Sequence, residues 1–307
     1  DDAGAGSGTD VVSPREFLAA VIRRDKRFGG GRQHDSQEFL HCVLEGLQSE
    51  LDRVKVKPKY RELEGRGEEE AQAAEAWAYT RSLGDSAIDD IFAGQLQSTI
   101  ECGVCHHRSH CFDTFLDLSI PIPAPRTSQD AAVAASASVQ DCLASFNATE
   151  HLDGSDQYRC EKCKKNVPAK KKLSISKYPG VLVLHLKRFV ASSGALHTSN
   201  FGAMRSSSFG ASSRLKKNSS YVSIASGGLD LGLYCSPHAT TAAASCPIKS
   251  KVAAARPFRN ETAAARPIRS GGGEAADDIG QTRSKAGTPP PVYDLYAVSN
   301  HSGTLGG

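Results

Sequence analysis

Two C-x-x-C pairs constrain the fold of this chain more than any other feature. Cys102 and Cys105 lie in ECGVC, and Cys160 and Cys163 lie far downstream in RCEKC. A C-x-x-C turn sets two sulfurs at the separation that tetrahedral zinc requires, and four thiolates complete a structural site. We therefore predict one zinc ion that clips two hairpins into a ribbon. The alternatives are two unrelated pairs of free thiols, or replacement ligands from the residues that crowd the first pair, namely His106, His107, His110 and Cys111.

The overall composition excludes some classes of partner. The 37 Lys+Arg residues nearly balance the 34 Asp+Glu residues, so net charge gives no reason to expect nucleic acid. Lysines surround the second cysteine pair without interleaved aromatic residues, which argues against a nucleic-acid site. No apolar run approaches the roughly 20 residues that span a bilayer, so we expect no membrane partner. Without a visible leader, an intracellular protein of the cytoplasm or nucleus is expected, with reduced thiols.

The N-terminal part reads as helical. Ser13 is expected to cap a first helix whose buried stripe is Phe17, Leu18, Val21 and Ile22. Asp35 stands at the start of the clearest helix, with a stripe at Phe39, Leu40, Val43, Leu44, Leu47 and Leu51. Cys42 beside this stripe is interpreted as a buried small apolar residue. Residues 68–81 are expected to form an exposed helix anchored by Trp77.

The remaining pattern is mostly that of strands. Residues 95–101 and 112–120 are predicted to be strands that flank the first cysteine pair. Ser138 begins a short helix. The apolar run 181–186 predicts a strand buried on both faces, and residues 293–299 predict one more.

Low-complexity stretches divide the chain. Residues 1–11 are expected to be disordered, and residues 12–307 to form one domain. That domain carries inserts at 191–217 and 236–290, which are rich in Ser, Ala, Gly and Pro. Because the inserts lack apolar periodicity, we expect them to be mobile and removable.

Four segments together resemble the catalytic domain of ubiquitin-specific proteases. Residues 33–40 (QHDSQEFL) are similar to that family's Q-Q-D-[AS]-x-E-F-L box, with His34 in place of the second Gln. Residues 98–123 and 158–189 resemble its two zinc knuckles with their outgoing strands, the second ending in L-K-R-F. Residues 293–307 (YDLYAVSNHSGTLGG) resemble the strand and loop that lead to its catalytic histidine. The four boxes occur in the family's order.

The resemblance implies a fold and an activity. The fold is the α+β, papain-like cysteine protease fold of the ubiquitin-specific protease type, with a helical thumb, antiparallel zinc-ribbon fingers and a partial palm sheet. The activity is that of a thiol-dependent deubiquitinase, which hydrolyses the bond after the C-terminal glycine of ubiquitin. Ubiquitin and ubiquitinated proteins are the implied partners, and zinc is structural. The alternatives are a non-catalytic ubiquitin-binding protein and, less favoured, a zinc-ribbon nucleic-acid binder.

The resemblance also implies which site residues are present. The family's nucleophile lies in a G-x-x-N-x-G-N-T-C box that no segment here matches, and its general base belongs to a G-H-Y motif just beyond the last loop. We therefore expect a fragment of the domain, with no catalytic residue within it and no activity by itself. The substrate-binding candidates are Asp35, whose carboxylate suits the arginines of the ubiquitin tail, with Gln33 beside it. His301 is interpreted as a loop histidine near the substrate channel, not as the base.

Overall fold

The computed structural model describes residues 13–31, 34–123, 137–191, 215–241 and 292–299. Within them the helices are α1 Arg15–Arg24, α2 Ser36–Glu50, α3 Glu69–Leu83, α4 Ala87–Phe92 and α5 Val139–Phe146, with short 3-10 helices at Lys26–Phe28, Gly154–Asp156 and Gly232–Tyr234. The first strands are β1 Gly94–Cys102, β2 Arg108–Phe115, β3 Leu118–Ile120, β4 Ala137–Ser138, β5 Glu150–Leu152, β6 Tyr158–Arg159, β7 Asn166–Val167 and β8 Ala169–Tyr178. They are followed by β9 Leu184–Leu186, β10 Phe189–Ala191, β11 Leu215–Lys217, β12 Val222–Ser223, β13 Leu229–Asp230, β14 Cys235–Thr241 and β15 Val292–Tyr293.

A five-stranded sheet forms the centre of the molecule. Its path runs β14-β8-β1-β2, and β5 also pairs with β8. β1 is antiparallel to both β2 and β8, with Leu96 opposite Ile175. Leu96 and Ile175 are buried in the main core with Leu143 of α5. The opposite face lies under α3, where the buried Gln95 amide donates to the carbonyl of Ala73 at 3.1 Å.

A short parallel pair of strands joins this core to the first helices. β3 pairs with β9, so that Leu118, Ser119 and Ile120 stand opposite Leu184, His185 and Leu186. Leu118 and Ile120 are fully buried. Because strand side chains alternate between faces, Ser119 and His185 point away from that core. They lie beside the start of α2, as the contacts of Asp35 described below show.

Helices α1 and α2 pack around a smaller cluster than the sequence pattern suggests. Its buried members are Val21, Phe28 and Cys42, which confirms the interpretation of Cys42. Phe17, Leu18, Leu47 and Leu51 are exposed, so the predicted stripes are wrong at their ends. The physical reason is that the described elements in contact with these two helices cover only part of each stripe.

Two helix details differ from the sequence prediction. α1 starts at Arg15 with Pro14 in the N-cap position and no side-chain cap, because Pro14 occupies the place expected for Ser13. α3 is anchored by the buried Ala73 and Ala76 rather than by Trp77, since small side chains let a helix lie close to a sheet. The Ser138 prediction is confirmed, and Ser138 and Asp141 form a reciprocal capping box.

The strand predictions need larger corrections. In the run 181–186 only Leu184–Leu186 is a strand, and it is half-buried. The long central strand is instead β8. Lysines occupy its N-terminal half, so the sequence pattern does not indicate that Ile175, Ser176 and Tyr178 in its C-terminal half are buried. Residues 112–120 divide between β2 and β3. The predicted strand 293–299 is ordered as a strand only at Val292–Tyr293, where it pairs with β13.

The edges of both low-complexity inserts carry strands. β11 pairs with β10, and β14 runs parallel to β8, so residues 215–217 and 236–241 belong to the folded part. Residues 1–11, 192–214 and 242–290 lie outside the described residues. Among the helices that are described, none combines the length and apolar character that a membrane crossing needs.

Candidate metal centre and substrate-binding site

The two cysteine pairs form matching turns. The first lies between β1 and β2, and the second between β6 and β7. In the first turn the Cys105 amide donates to Cys102 Sγ at 3.4 Å, and in the second the Cys163 amide donates to Cys160 Sγ at 3.4 Å. The residue after each pair, His106 or Lys164, has a positive φ of 55° or 57°. Each turn therefore places its two sulfurs on the side that faces the other turn.

A glycine fixes how the first turn meets the rest of the ribbon. The Gly103 amide donates to the carbonyl of Pro168 at 2.8 Å. A Cβ atom at position 103 would lie 2.8 Å from that same carbonyl oxygen, closer than real Cβ contacts allow. The approach of the first turn to the segment before β8 therefore requires glycine at the second position of C-x-x-C.

The four sulfurs lie at the separations of a tetrahedral thiolate site. Cys102 Sγ is 3.9 Å from Cys163 Sγ, Cys105 Sγ is 3.6 Å from Cys160 Sγ, and all four lie within 4.8 Å of one another. Zinc–sulfur bonds of about 2.3 Å place tetrahedral sulfurs about 3.8 Å apart. Cys102 and Cys160 are fully buried, with Val167 beside them. The cluster is thus close enough to hold a metal ion, and its donors fit zinc.

The electrostatics of the cluster also favour a cation. The backbone amides of Cys105 and Val104 lower the pKa of Cys102 to about 6, although burial opposes this shift. The neighbouring sulfur of Cys105, together with burial, raises the pKa of Cys163 to about 12. Four thiols this close cannot all ionise without a compensating positive charge, and a divalent metal ion supplies it.

Three of the four alternative ligands near the first pair lie close to other partners. His106 Nδ1 lies 3.7 Å from Glu101, and His110 Nδ1 lies 3.1 Å from both the Gln97 amide and the Thr99 hydroxyl. The thiol of Cys111 faces Asp113 at 3.8 Å. Within the described residues, the metal-ligand cluster consists of the four predicted cysteines.

The second site lies at the start of α2. Asp35 Oδ1 accepts the Gln37 amide at 2.7 Å and so caps the helix, as the sequence predicted. Its side chain is still 30% exposed, and it borders an open pocket whose other walls are Leu18, Phe28, His34, Ser36 and Phe39. The carboxylate can therefore cap the helix and face a ligand at the same time.

A partly buried pair of His41 and Asp117 fixes the first turns of α2 against the sheet. Asp117, in the turn between β2 and β3, accepts the Gln37 side-chain amide at 3.1 Å and is in hydrogen-bond contact with His41 Nε2. This hydrogen bond raises the pKa of His41 against the opposing effect of burial. Burial alone would raise the pKa of Asp117, but His41 and Gln37 together bring it below its ordinary value.

A histidine of β9 faces Asp35. His185 Nε2 lies 3.9 Å from Asp35 Oδ2, and His185 Nδ1 lies 2.9 Å from the Ser119 hydroxyl. The sequence reasoning singled out Asp35 but missed Asp117, Ser119 and His185. The only signal that could have indicated them is their position in the outgoing strands of the two knuckle segments.

The other two substrate-binding candidates are not placed by the structure. Gln33 and His301 lie outside the described residues. Of the three sequence-predicted residues, only Asp35 is therefore located, at the rim of the pocket.

Comparison with known proteins identifies the family. The family model described as ubiquitin carboxyl-terminal hydrolase matches residues 5–307. The chain is 39% identical over 185 residues to "Ubiquitin carboxyl-terminal hydrolase 2" of Gallus gallus, a match that covers 60% of this chain and 50% of that protein. It is 39% identical over 188 residues to the Homo sapiens protein of the same name, covering 61% of this chain and 30% of that one. The chain thus spans half or less of the length of these relatives.

A solved structure, "Structure of the SAGA Ubp8/Sgf11/Sus1/Sgf73 DUB module bound to ubiquitin aldehyde", is also similar, with a TM-score of 0.46 and 22% identity over 72% of this chain and 37% of that one. That overlap is too low to carry an argument. The match of the family model over nearly all of the sequence is sufficient by itself to assign the family. The helices, the β1–β2 and β6–β7 hairpins and the parallel β3–β9 pair agree with the α+β, papain-like fold expected from the resemblance. This chain belongs to the ubiquitin carboxyl-terminal hydrolase family.

Proposed function

We propose that this chain forms the ubiquitin-recognising part of a deubiquitinating cysteine protease, one that hydrolyses the bond after the C-terminal glycine of ubiquitin. The observation that carries the proposal is the family match over residues 5–307. Ubiquitin and ubiquitinated proteins are the proposed partners. We propose that the strands around the two cysteine turns and the carboxylate at the start of α2 serve binding rather than bond cleavage.

Zinc is the metal that we propose for the cysteine cluster. Its role is structural, because all four ligand positions are filled by protein sulfurs and none is open to water or substrate. The ion would join the β1–β2 hairpin to the β6–β7 hairpin. The cluster also supports an intracellular location, cytoplasmic or nuclear, since such thiolates persist in reducing compartments, and the eight described cysteines are free thiols.

The chemistry of cleavage is proposed to come from residues other than the described cysteines. A nucleophilic cysteine needs a histidine within hydrogen-bond reach or another group that lowers its pKa. Burial raises the pKa of Cys42 and of Cys142, and burial together with Asp113 raises that of Cys111. The thiol of Cys235 donates to the Gly232 carbonyl at 2.9 Å. Four further cysteines form the metal cluster, and Cys246 lies outside the described residues.

Asp35 is the residue that we propose to bind the ubiquitin tail. Its Oδ2 is not used in capping, and the side chain is partly exposed beside the pocket. A guanidinium group would form charge-assisted hydrogen bonds with this oxygen. Gln33 and His301 are proposed to contribute to the same channel, as the family resemblance implies.

Calorimetric titration of the chain with ubiquitin tests this function. Asp35→Asn should weaken ubiquitin binding by about tenfold, because a charge-assisted hydrogen bond contributes about 1.5 kcal/mol. Asn is as good an N-cap as Asp, so the helix should remain intact. Glu38→Gln is the matched control, since it removes one negative charge from the same exposed helix turn. No binding of ubiquitin by the wild-type chain would refute the proposal.

A further inference from the structure

We infer that His185, oriented by Ser119, is a positioning residue that directs the free oxygen of Asp35 toward the arginine side chains of the ubiquitin tail. This inference rests on the proposed function, since it assigns a role within the same binding site. It concerns two residues on neighbouring strands: His185, which faces Asp35, and Ser119, which faces His185. Neither residue is required to touch ubiquitin itself.

The geometry of Asp35 leaves one oxygen to be positioned. Oδ1 is held by the Gln37 amide at 2.7 Å, so the carboxylate plane can turn only about that contact. Oδ2 lies 3.9 Å from His185 Nε2, a separation that a small side-chain rotation closes to a hydrogen bond. A hydrogen bond here would fix the direction of Oδ2 before an arginine arrives. Binding then costs less side-chain entropy than it would with a freely rotating carboxylate.

Ser119 can hold the proton of His185 on the ring nitrogen that faces Asp35. It stands directly opposite His185 in the parallel β3–β9 pair, and its hydroxyl is 2.9 Å from Nδ1. When the hydroxyl donates to Nδ1, the neutral imidazole carries its proton on Nε2, the nitrogen that faces Asp35. The orienting group and the oriented ring lie on paired strands, which hold such a site more rigidly than loops do.

The surrounding charges favour a donor at this position. The described charged groups near the ring are Asp35 from the start of α2, and Asp117 with its partner His41. Asp117 is close enough to His185 for the two groups to interact electrostatically. The neighbours of His185 in β9, Leu184 and Leu186, pack against the apolar core, whereas the imidazole lies on the other face beside the Asp35 carboxylate. Packing alone does not call for a histidine there.

The test measures the tail-dependent part of ubiquitin binding. That quantity is the ratio of affinities for intact ubiquitin and for ubiquitin from which the C-terminal tail has been removed, obtained by calorimetry. His185→Phe and Ser119→Ala should each reduce the ratio by about fivefold, while the affinity for tailless ubiquitin stays unchanged. His185→Gln should restore most of the ratio, because its amide can donate toward Asp35. His185→Asn should not, since its shorter amide reaches only toward Ser119.

Two controls separate positioning from a structural role. His238→Phe removes a histidine on β14 that also lies 3.9 Å from a carboxylate, that of Glu70, and it should leave the ratio unchanged. In an Asp35→Asn background, His185→Phe should have no further effect. If Asp35→Asn lowers the ratio and His185→Phe does not, this inference alone is overturned. Equal losses for intact and tailless ubiquitin would also overturn it, because they indicate a structural role. Absence of any Asp35 effect would overturn both this inference and the proposed role of Asp35.

Discussion

The pair formed by His41 and Asp117 should make the stability of this chain depend on pH. Substitution of either side chain should lower that stability. The side chain of Asp117 is only 6% exposed, while that of His41 is 35% exposed. Removing one partner of a fully buried pair costs about 3–5 kcal/mol. Because water still reaches His41, we expect less: about 2 kcal/mol for His41→Ala, which strands a buried carboxylate, and about 1 kcal/mol for Asp117→Asn, which does not.

The sign of the pH dependence follows from the two shifts. The folded-state pKa of His41 is raised by Asp117, so its stabilisation is present below the unfolded value of about 6.5 and is lost as pH rises through the folded pKa. The pKa of Asp117 is lowered, so its stabilisation is present above about 3.9 and is lost as pH falls through the folded pKa. The pair therefore contributes most in the acidic window between these two ranges.

Urea unfolding between pH 5 and pH 9 measures the cost of each substitution and the loss of stability as pH rises through the folded pKa of His41. Far-UV circular dichroism follows the whole fold, and fluorescence of Trp77, the one tryptophan of the chain, follows α3. The loss of stability above neutral pH should disappear in Asp117→Asn, and the double variant should cost less than the sum of the single ones. His151→Ala, at an exposed strand position, is the control. A larger cost for Asp117→Asn than for His41→Ala, or an unchanged pH profile, would refute the reasoning.

Two further predictions concern the cysteine cluster. Purified chain should contain one zinc per molecule. The double variant Cys102→Ser with Cys160→Ser should abolish zinc binding, and hydrogen exchange should show that the β1–β2 and β6–β7 hairpins loosen first. Stoichiometric zinc in that double variant would contradict the assignment. Gly103→Ala should weaken zinc binding by about tenfold, because the added Cβ must displace the Pro168 carbonyl at a cost of about 1–2 kcal/mol. Competition with a chelator measures this loss, and wild-type affinity in Gly103→Ala would show that the turn can move away without cost.

Local sequence signals predicted those parts of the structure that depend on neighbours in sequence. The Asp35 cap and the Ser138 capping box need only residues within one helical turn, and each C-x-x-C turn is complete in itself. The pairing of the two turns was also predictable, because four thiols and one metal leave few alternatives.

The parts that failed depend on distant packing. β8 escaped detection because lysines occupy its N-terminal half, while the buried Ile175, Ser176 and Tyr178 lie in its C-terminal half. The surroundings of Asp35 are assembled from the β2–β3 turn, β3 and β9, which meet only through parallel strand pairing. No local pattern records that Ser119 and His185 stand opposite each other, so the network around Asp35 could not be read from the sequence.

Hydrolysis of ubiquitin that carries a fluorogenic amide at its C-terminus tests the central claim most directly. The assay compares the 307-residue chain with a longer polypeptide in which the family's cysteine box precedes it and the G-H-Y segment follows it. We expect turnover only from the longer polypeptide, since removing either partner of a nucleophile–base pair already abolishes most of the rate. Absence of turnover by the longer polypeptide, with zinc and ubiquitin both bound, would indicate a non-catalytic ubiquitin-binding protein. Turnover by the 307-residue chain that is lost in His301→Ala would contradict the account by making that histidine the base.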